Sequence, residues 1–242
     1  RKDMNKMTQA VNNNIEITMR KIEELTPYEN NPRNNDMAVD AVAESMKYGD
    51  FITYANKLVA IGVQGFILTG GGEPSINPDF EKIAAWLTEN NIQWGINTNF
   101  NKLVKVKPNY LKVSLDAYSN ESYKELRGVE AYEKVRENIK AYAAWKKENS
   151  PDTSLGIQQL VKDPEDAKRF YEANKDLDVD YIVFRPVEST GGSYYKDEKR
   201  QREAEEIRKV VSDMAREDER VTLNFKWGLL DRQEKRCTAS WA

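Results

Sequence analysis

Apolar positions along this chain switch repeatedly between two spacings. Phe51, Tyr54, Ala55, Leu58, Val59 and Gly62 recur three and four apart, which predicts a helix over 51–62 that ends at glycine. GFILT at 65–69 is a short continuous apolar run, the pattern of a strand covered on both faces. Phe80, Ile83, Ala84 and Leu87 predict an amphipathic helix over 78–90, and QWGINT at 93–98 the next strand. YLKVSL at 110–115 reads as a further strand, reached by a short crossover containing Val104 and Val106. Ser119 is placed to cap the following helix, with Glu121 and Ser122 in its first turn, and helical spacing resumes over 131–149. A strand at 154–161, a helix at 164–177, a strand at 180–184, a charged helix at 197–217 and a last strand at 221–225 complete the alternation.

Strands alternating with helices imply an α/β protein with right-handed crossovers and a parallel sheet. The strand count suits an open or partial barrel better than a closed eight-stranded one. In either arrangement ligands gather at the carboxyl ends of the strands, so the residues just after each strand are the place to look. The first fifty residues differ in character. Residues 1–14 are polar and read as a flexible lead-in, 15–22 alternate weakly, and LTPYENNPRNND at 25–36 is a Pro- and Asn-rich turn. Asp36 then opens a helix with Ala38, Val42 and Met46 along one side. The expected division is a segment at 1–50, the barrel at 51–225 and the start of an extension at 226–242.

Hydrophobic residues make up 39% and charged residues 32%, a polar-surfaced chain that can still bury a core. The longest apolar stretches, such as 157–161 beside a Gln pair, are too short to cross a bilayer, and the opening residues do not have the form of a secretory leader. The single cysteine, Cys237, excludes an internal disulfide framework; with the other features it points to a cytoplasmic location. A net charge of −3 gives no overall pull toward nucleic acid or anionic lipid. With no histidine and one cysteine, these residues cannot assemble a His/Cys metal site or a His-dependent triad.

The most informative string is Thr69-Gly70-Gly71-Gly72-Glu73-Pro74, directly after a strand. Three glycines let the backbone turn sharply and approach a ligand, and a carboxylate held there can accept hydrogen bonds from an ammonium group. A βα loop whose glycines only make the turn is the alternative. The string lacks the Gly-Lys-Ser/Thr ending of a phosphate loop and the spacing of a dinucleotide fingerprint.

GGEP after the second strand of a partial (β/α)6 barrel resembles the S-adenosylmethionine (SAM) motif of radical SAM enzymes, and the resemblance covers about 51–242. It implies that Gly71, Gly72, Glu73 and Pro74 contact the amino group of SAM. It extends to polar residues at later strand ends: Asn97, Thr98 and Asn99 after the third strand, and Ser114 and Asp116 in VSLDA after the fourth, on ribose and carboxylate. Arg127 is similar to an arginine that pairs with the SAM carboxylate, Gln158 sits in the fifth strand, and Arg185 closes the sixth near the adenine position. Ser114 and Asp116 could equally cap a turn, Asn99 could be a turn residue, and Arg127 could be a surface ion-pair partner.

Membership would imply a [4Fe–4S] cluster, reductive cleavage of SAM to a 5′-deoxyadenosyl radical, a flavodoxin- or ferredoxin-type reductant, and a peptide, protein or nucleotide substrate. The sequence departs from that pattern. The C-x-x-x-C-x-x-C loop and the first barrel strand are missing where Asp50 meets Phe51, so the expectation is a chain break there. Such a barrel would leave an exposed edge at the second strand. Cys237 resembles the first ligand of the second, auxiliary cluster of SPASM and twitch subfamilies; a lone buried thiol is its other reading. KIEELTPYENNPRNNDMAVDAVAESM resembles the opening of a ParB-like domain, a small α+β segment whose Asn-Pro-Arg box lies near a nucleotide-phosphate site, which would carry over to Arg33 at most. The alternatives to an enzyme are an inactive SAM-binding module and a nucleic-acid-associated adaptor working through the ParB-like part.

Overall fold

The computed structural model describes residues 46–69, 72–186 and 198–224. The chain divides into compact units at 1–39 and 40–242, and the described residues all belong to the second. The ParB-like segment up to residue 45, Gly70, Gly71 and Cys237 lie outside them.

The elements run α1 (Tyr48–Ala60), β1 (Gly65–Leu68), a 3-10 turn (Pro74–Ile76), α2 (Phe80–Glu89), β2 (Gln93–Thr98), β3 (Tyr110–Ser114), α3 (Asn120–Arg127), α4 (Tyr132–Asn149), β4 (Ser154–Val161), α5 (Pro164–Asn174), β5 (Tyr181–Pro186), α6 (Glu198–Glu217) and β6 (Val221–Leu223). All strand pairs are parallel, and the order β1-β2-β3-β4-β5-β6 follows the chain. A sheet wound in one direction places its right-handed crossovers on one side, leaving the other side open as in a partial barrel.

Local chemistry explains the helix ends. Ser119 accepts from Ser122 N–H while Ser122 reaches back to the Ser119 amide, a capping box, and α3 stops at Gly128 with φ +76°. Asp163 caps α5 by accepting from Asp166 N–H, with Pro164 in the first turn. α1 begins at Tyr48, ahead of the predicted start, and ends before Gly62 at φ +98°. It passes through Asp50 and Phe51 as continuous helix, with Phe51 N–H donating to Lys47 O at 3.0 Å. α5 ends at Asn174, short of the predicted 177, where the Asn174 side-chain amide donates to Phe170 O and to Ala117 O.

Alternation along the strands separates a helix-facing side from an open side. Trp94 Nε1 donates to Thr88 Oγ1 on α2 at 3.1 Å, so Trp94, Ile96 and Thr98 face the helices. Leu111 and Val113 on β3, Leu155 and Ile157 on β4, and Ile182 and Phe184 on β5 are fully buried in the same layer. Each such side chain contributes roughly 1.5–3 kcal/mol by leaving water. Asn97, Ser114, Gln158 and Arg185 fall on the opposite phase. β1 corrects the expectation of a strand covered on both faces: it pairs only with β2 among the described residues, and Ile67 is 60% exposed. The β2–β3 link contains no helix, and Val104 and Val106 hold it against the core. No helix among the described residues is long and apolar enough to cross a membrane.

Candidate functional site

Glu73, at the N-cap of the 3-10 turn, fastens the loop after β1 to the end of β2. Its Oε1 accepts from Ser75 N–H at 3.1 Å, Ser75 Oγ at 2.7 Å and Thr98 Oγ1 at 2.6 Å, and Oε2 accepts from Asn99 N–H at 2.6 Å. Ser75 and Thr98 are buried, so the carboxylate is held from the protein side. Lys102 Nζ adds a bond to Ser75 O at 3.1 Å. Phe100, directly after Asn99, is buried with φ +58°, an unusual conformation for a bulky side chain. Its amide donates to Thr98 Oγ1, and Asn138 Nδ2 on α4 donates to its carbonyl at 2.8 Å.

A second knot joins the ends of β3, β4 and α3. Asp116 has φ +54° and is 8% exposed. Its Oδ1 accepts from Leu160 N–H at 2.7 Å, and its Oδ2 from Arg127 NH2 at 2.6 Å. Arg127 also donates to Ser114 O at 3.2 Å, and Asp116 N–H to Gln158 O at 3.1 Å. Burial pushes the Asp116 carboxyl above its ordinary range, although Arg127, the Leu160 amide and Arg185 pull the other way. Gln158 Oε1 accepts from Arg185 NH1 at 3.3 Å, carrying the network to β5. Tyr123, fully buried on α3, feels the charges of Arg127, Asp116 and Glu73 alike, and burial raises its phenol.

Two buried side-chain acceptors among the described residues lack a partner: Gln159 Oε1, on the helix-facing side of β4, and one on the open side. Asn97 Oδ1, at the open-side end of β2, is buried and has no hydrogen-bond partner. A buried acceptor without a partner costs about 1–3 kcal/mol, so its persistence fits a ligand that donates to it.

Gly72, Glu73, Pro74, Asn97, Asn99, Ser114, Asp116 and Arg185 therefore fall at the carboxyl ends of β1, β2, β3 and β5, Gln158 lies within β4 level with Ser114, and Arg127 is brought to them by the end of α3. The side chains of Glu73, Asp116 and Arg127 bond mainly to protein. Those of Asn97 and Ser114 stand half-buried at adjacent strand ends. Ser75 and Tyr123 were absent from the sequence reading, and Thr98 entered it only as a polar strand end. Its signal was a hydroxyl residue on the helix-facing phase of β2, where an apolar one is the norm. No group of three or more His, Cys, Asp or Glu among the described residues could hold a metal ion.

No protein-family model and no curated protein matches the chain. Among solved structures it is similar to Streptococcus suis SuiB bound to S-adenosylmethionine, at 17% identity over 74% of this chain and 43% of that one, with a TM-score of 0.56. It is likewise similar to SuiB bound to its precursor peptide SuiA, at 16% identity over 73% and 40%, with a TM-score of 0.55. A radical SAM methyltransferase from Sphaerobacter thermophilus matches at 14% identity over 67% and 53%, with a TM-score of 0.45. The chain spans less than half the length of SuiB. Its fold is α/β, a parallel six-stranded partial barrel of the radical SAM type.

Proposed function

We propose that this chain binds SAM at the carboxyl edge of its sheet and is the SAM-holding core of a radical SAM protein. The observation that carries the reading is the ordered set of polar strand ends, with the buried, unpartnered Asn97 Oδ1 among them. These residues fit the ligand. Its ammonium, ribose hydroxyls and adenine amino group are donors and its carboxylate is an acceptor, while Asn97, Ser114, Gln158 and Arg185 offer both kinds of partner. Gly72 and Pro74 supply backbone at the loop after β1, where the missing Cβ of Gly72 permits close approach. Asp116 and Arg127 keep the ends of β3 and β4 in register beneath the ligand, and Glu73 does the same for β1 and β2. When bound, SAM supplies an activated adenosyl–sulfonium group; the protein's share is to bind, orient and shield it.

The residues present do not fit a [4Fe–4S] cluster. Three thiolates are needed and the sequence holds one cysteine, Cys237, with no histidine. That shortage favours a second reading, a SAM-binding module that does not cleave its ligand. As a radical SAM enzyme, the protein would need those thiolates from elsewhere, a flavodoxin- or ferredoxin-type reductant, and a substrate. SuiB bound to a precursor peptide favours a peptide; the Asn-Pro-Arg box at 31–33 favours a nucleotide.

Titration calorimetry with SAM tests the binding, and anaerobic reconstitution with iron, sulfide and dithionite tests the chemistry. Saturable one-site binding without release of 5′-deoxyadenosine is the expected result for the 242-residue chain. No binding would refute the proposal, and 5′-deoxyadenosine from this chain would refute the thiolate argument. Release of 5′-deoxyadenosine by a native protein of mass well above 27.9 kDa would make the chain an enzyme core and exclude the inert module.

A further inference from the structure

We infer that Thr98 and Glu73 act as one positioning unit for the ligand loop, with Glu73 working through its protein bonds and not as a ligand to the SAM ammonium. The inference rests on the SAM-binding reading above. An ionised carboxylate offers about four acceptor sites. Three donors, Ser75 N–H, Ser75 Oγ and Thr98 Oγ1, crowd Oε1, and Asn99 N–H takes one of the two sites on Oε2, so protein groups hold most of the acceptor capacity. The two shortest, each 2.6 Å, come from Thr98 and Asn99, across the strand boundary from the loop. Thr98 is 2% exposed and faces the helix layer, so it cannot touch a ligand on the open side. Its hydroxyl also accepts from Phe100 N–H at 2.9 Å, which ties the left-handed Phe100 into the same unit. The unit sets two things at once: where the loop backbone at Gly72 to Pro74 lies, and where the chain after Asn97 turns away. Ligand recognition on this side then falls to loop backbone and to Asn97.

The test compares wild type, E73A, T98V, T98S and the E73A/T98V double variant by SAM calorimetry, with melting curves to confirm folding and amide exchange of Asn99 read by NMR. T98V keeps the shape of Thr98 but loses both hydroxyl bonds; T98S restores them. The expected result is that E73A and T98V each weaken SAM binding about tenfold or more, that the double variant is little worse than either, and that T98S recovers most of the loss. Asn99 exchange should quicken in E73A without any ligand present. If E73A loses binding while T98V binds SAM as wild type does, Glu73 is a direct ligand and the inference is overturned. Melting temperatures that fall while SAM affinity holds would also overturn it, by making the unit merely structural. Failure of the wild type to bind SAM would instead sink the functional reading, and the ligand-side part of this inference with it. Unchanged Asn99 exchange in E73A would remove the unit itself whether or not SAM binds.

Discussion

The two edges of the same sheet are built to different standards. At the amino edge, charges are closed on one another. Asp180, just before β5, accepts from Lys146 Nζ at 2.7 Å and from Leu155 N–H at 2.6 Å, and Lys146 also donates to Thr153 O at 2.6 Å. Asp218, just before β6, accepts from Tyr171 Oη and the Arg220 guanidinium, which reaches on to Leu177 O and Lys175 O. The positive-φ residues on that side among the described residues are Gly62 after α1 and Asn91 after α2, residue types that tolerate the conformation. At the carboxyl edge Phe100 and Asp116 take positive φ, Asn97 Oδ1 lacks a partner, and a buried carboxylate sits where burial works against its charge. Strain and unmet polar groups persist where the surrounding structure holds them, and they cluster at functional sites. One edge is closed on itself, and the other carries the strain and the unmet polar group on which the SAM proposal rests.

Substitutions should separate those roles. The largest effect is expected from Lys146→Met, which strands Asp180 and Thr153 O. A loss of about 2–3 kcal/mol in urea denaturation is expected, at the low end for a buried pair because the Asp180 side chain is 44% exposed. SAM affinity of the folded protein should not change; a parallel loss of affinity would break the comparison. Ser119→Ala removes the cap of α3 and should cost about 1 kcal/mol. It should also weaken SAM binding modestly, because α3 carries Arg127 to Asp116; a purely thermal effect would detach α3 from the site.

The smallest effects, under about 1 kcal/mol, are diagnostic through their sign with pH. The Arg220 guanidinium holds the Asp218 carboxyl below the usual range. Its stabilisation is present above the unfolded value near pH ~4 and is lost as pH falls through the lower folded value. The advantage of wild type over Asp218→Asn should therefore shrink on acidification. Asp116 is shifted upward, chiefly by burial. Its favourable contribution is present below the unfolded value and lost as pH rises through the folded one, so Asp116→Asn should gain on wild type from about pH 4 upward. Stability curves of both variants across that range check the pair, and like signs would contradict the contrast between the edges.

Much of this contrast was legible in the sequence. The alternation of apolar runs and helical spacing gave the order of elements because period-2 and period-3.6 patterns bury different faces. The rule that ligands meet strand carboxyl ends pointed to the residues after each strand, and the radical SAM resemblance singled out Glu73, Asn97, Ser114, Asp116 and Gln158. Tertiary partners were not legible. Arg127 is far from Asp116 along the chain surface until the capping box and Gly128 fix the length of α3. GFILT reads as a doubly covered strand, yet Ile67 is exposed: among the described residues β1 lies at the end of the sheet, a position that no local pattern records. The Glu73 bonds were hidden for the same reason: Thr98 lies 25 residues on, and only the pairing of β1 with β2 brings it close.

The most direct test of the account is an amide-resolved NMR titration of the chain with SAM. Shifts should concentrate at Gly72 to Ser75, Asn97 to Phe100, Ser114 to Asp116 and Gln158, while Leu155, Asp180, Asp218 and Arg220 stay still. A spectrum that does not respond to SAM, or one that responds at the amino edge, would contradict it.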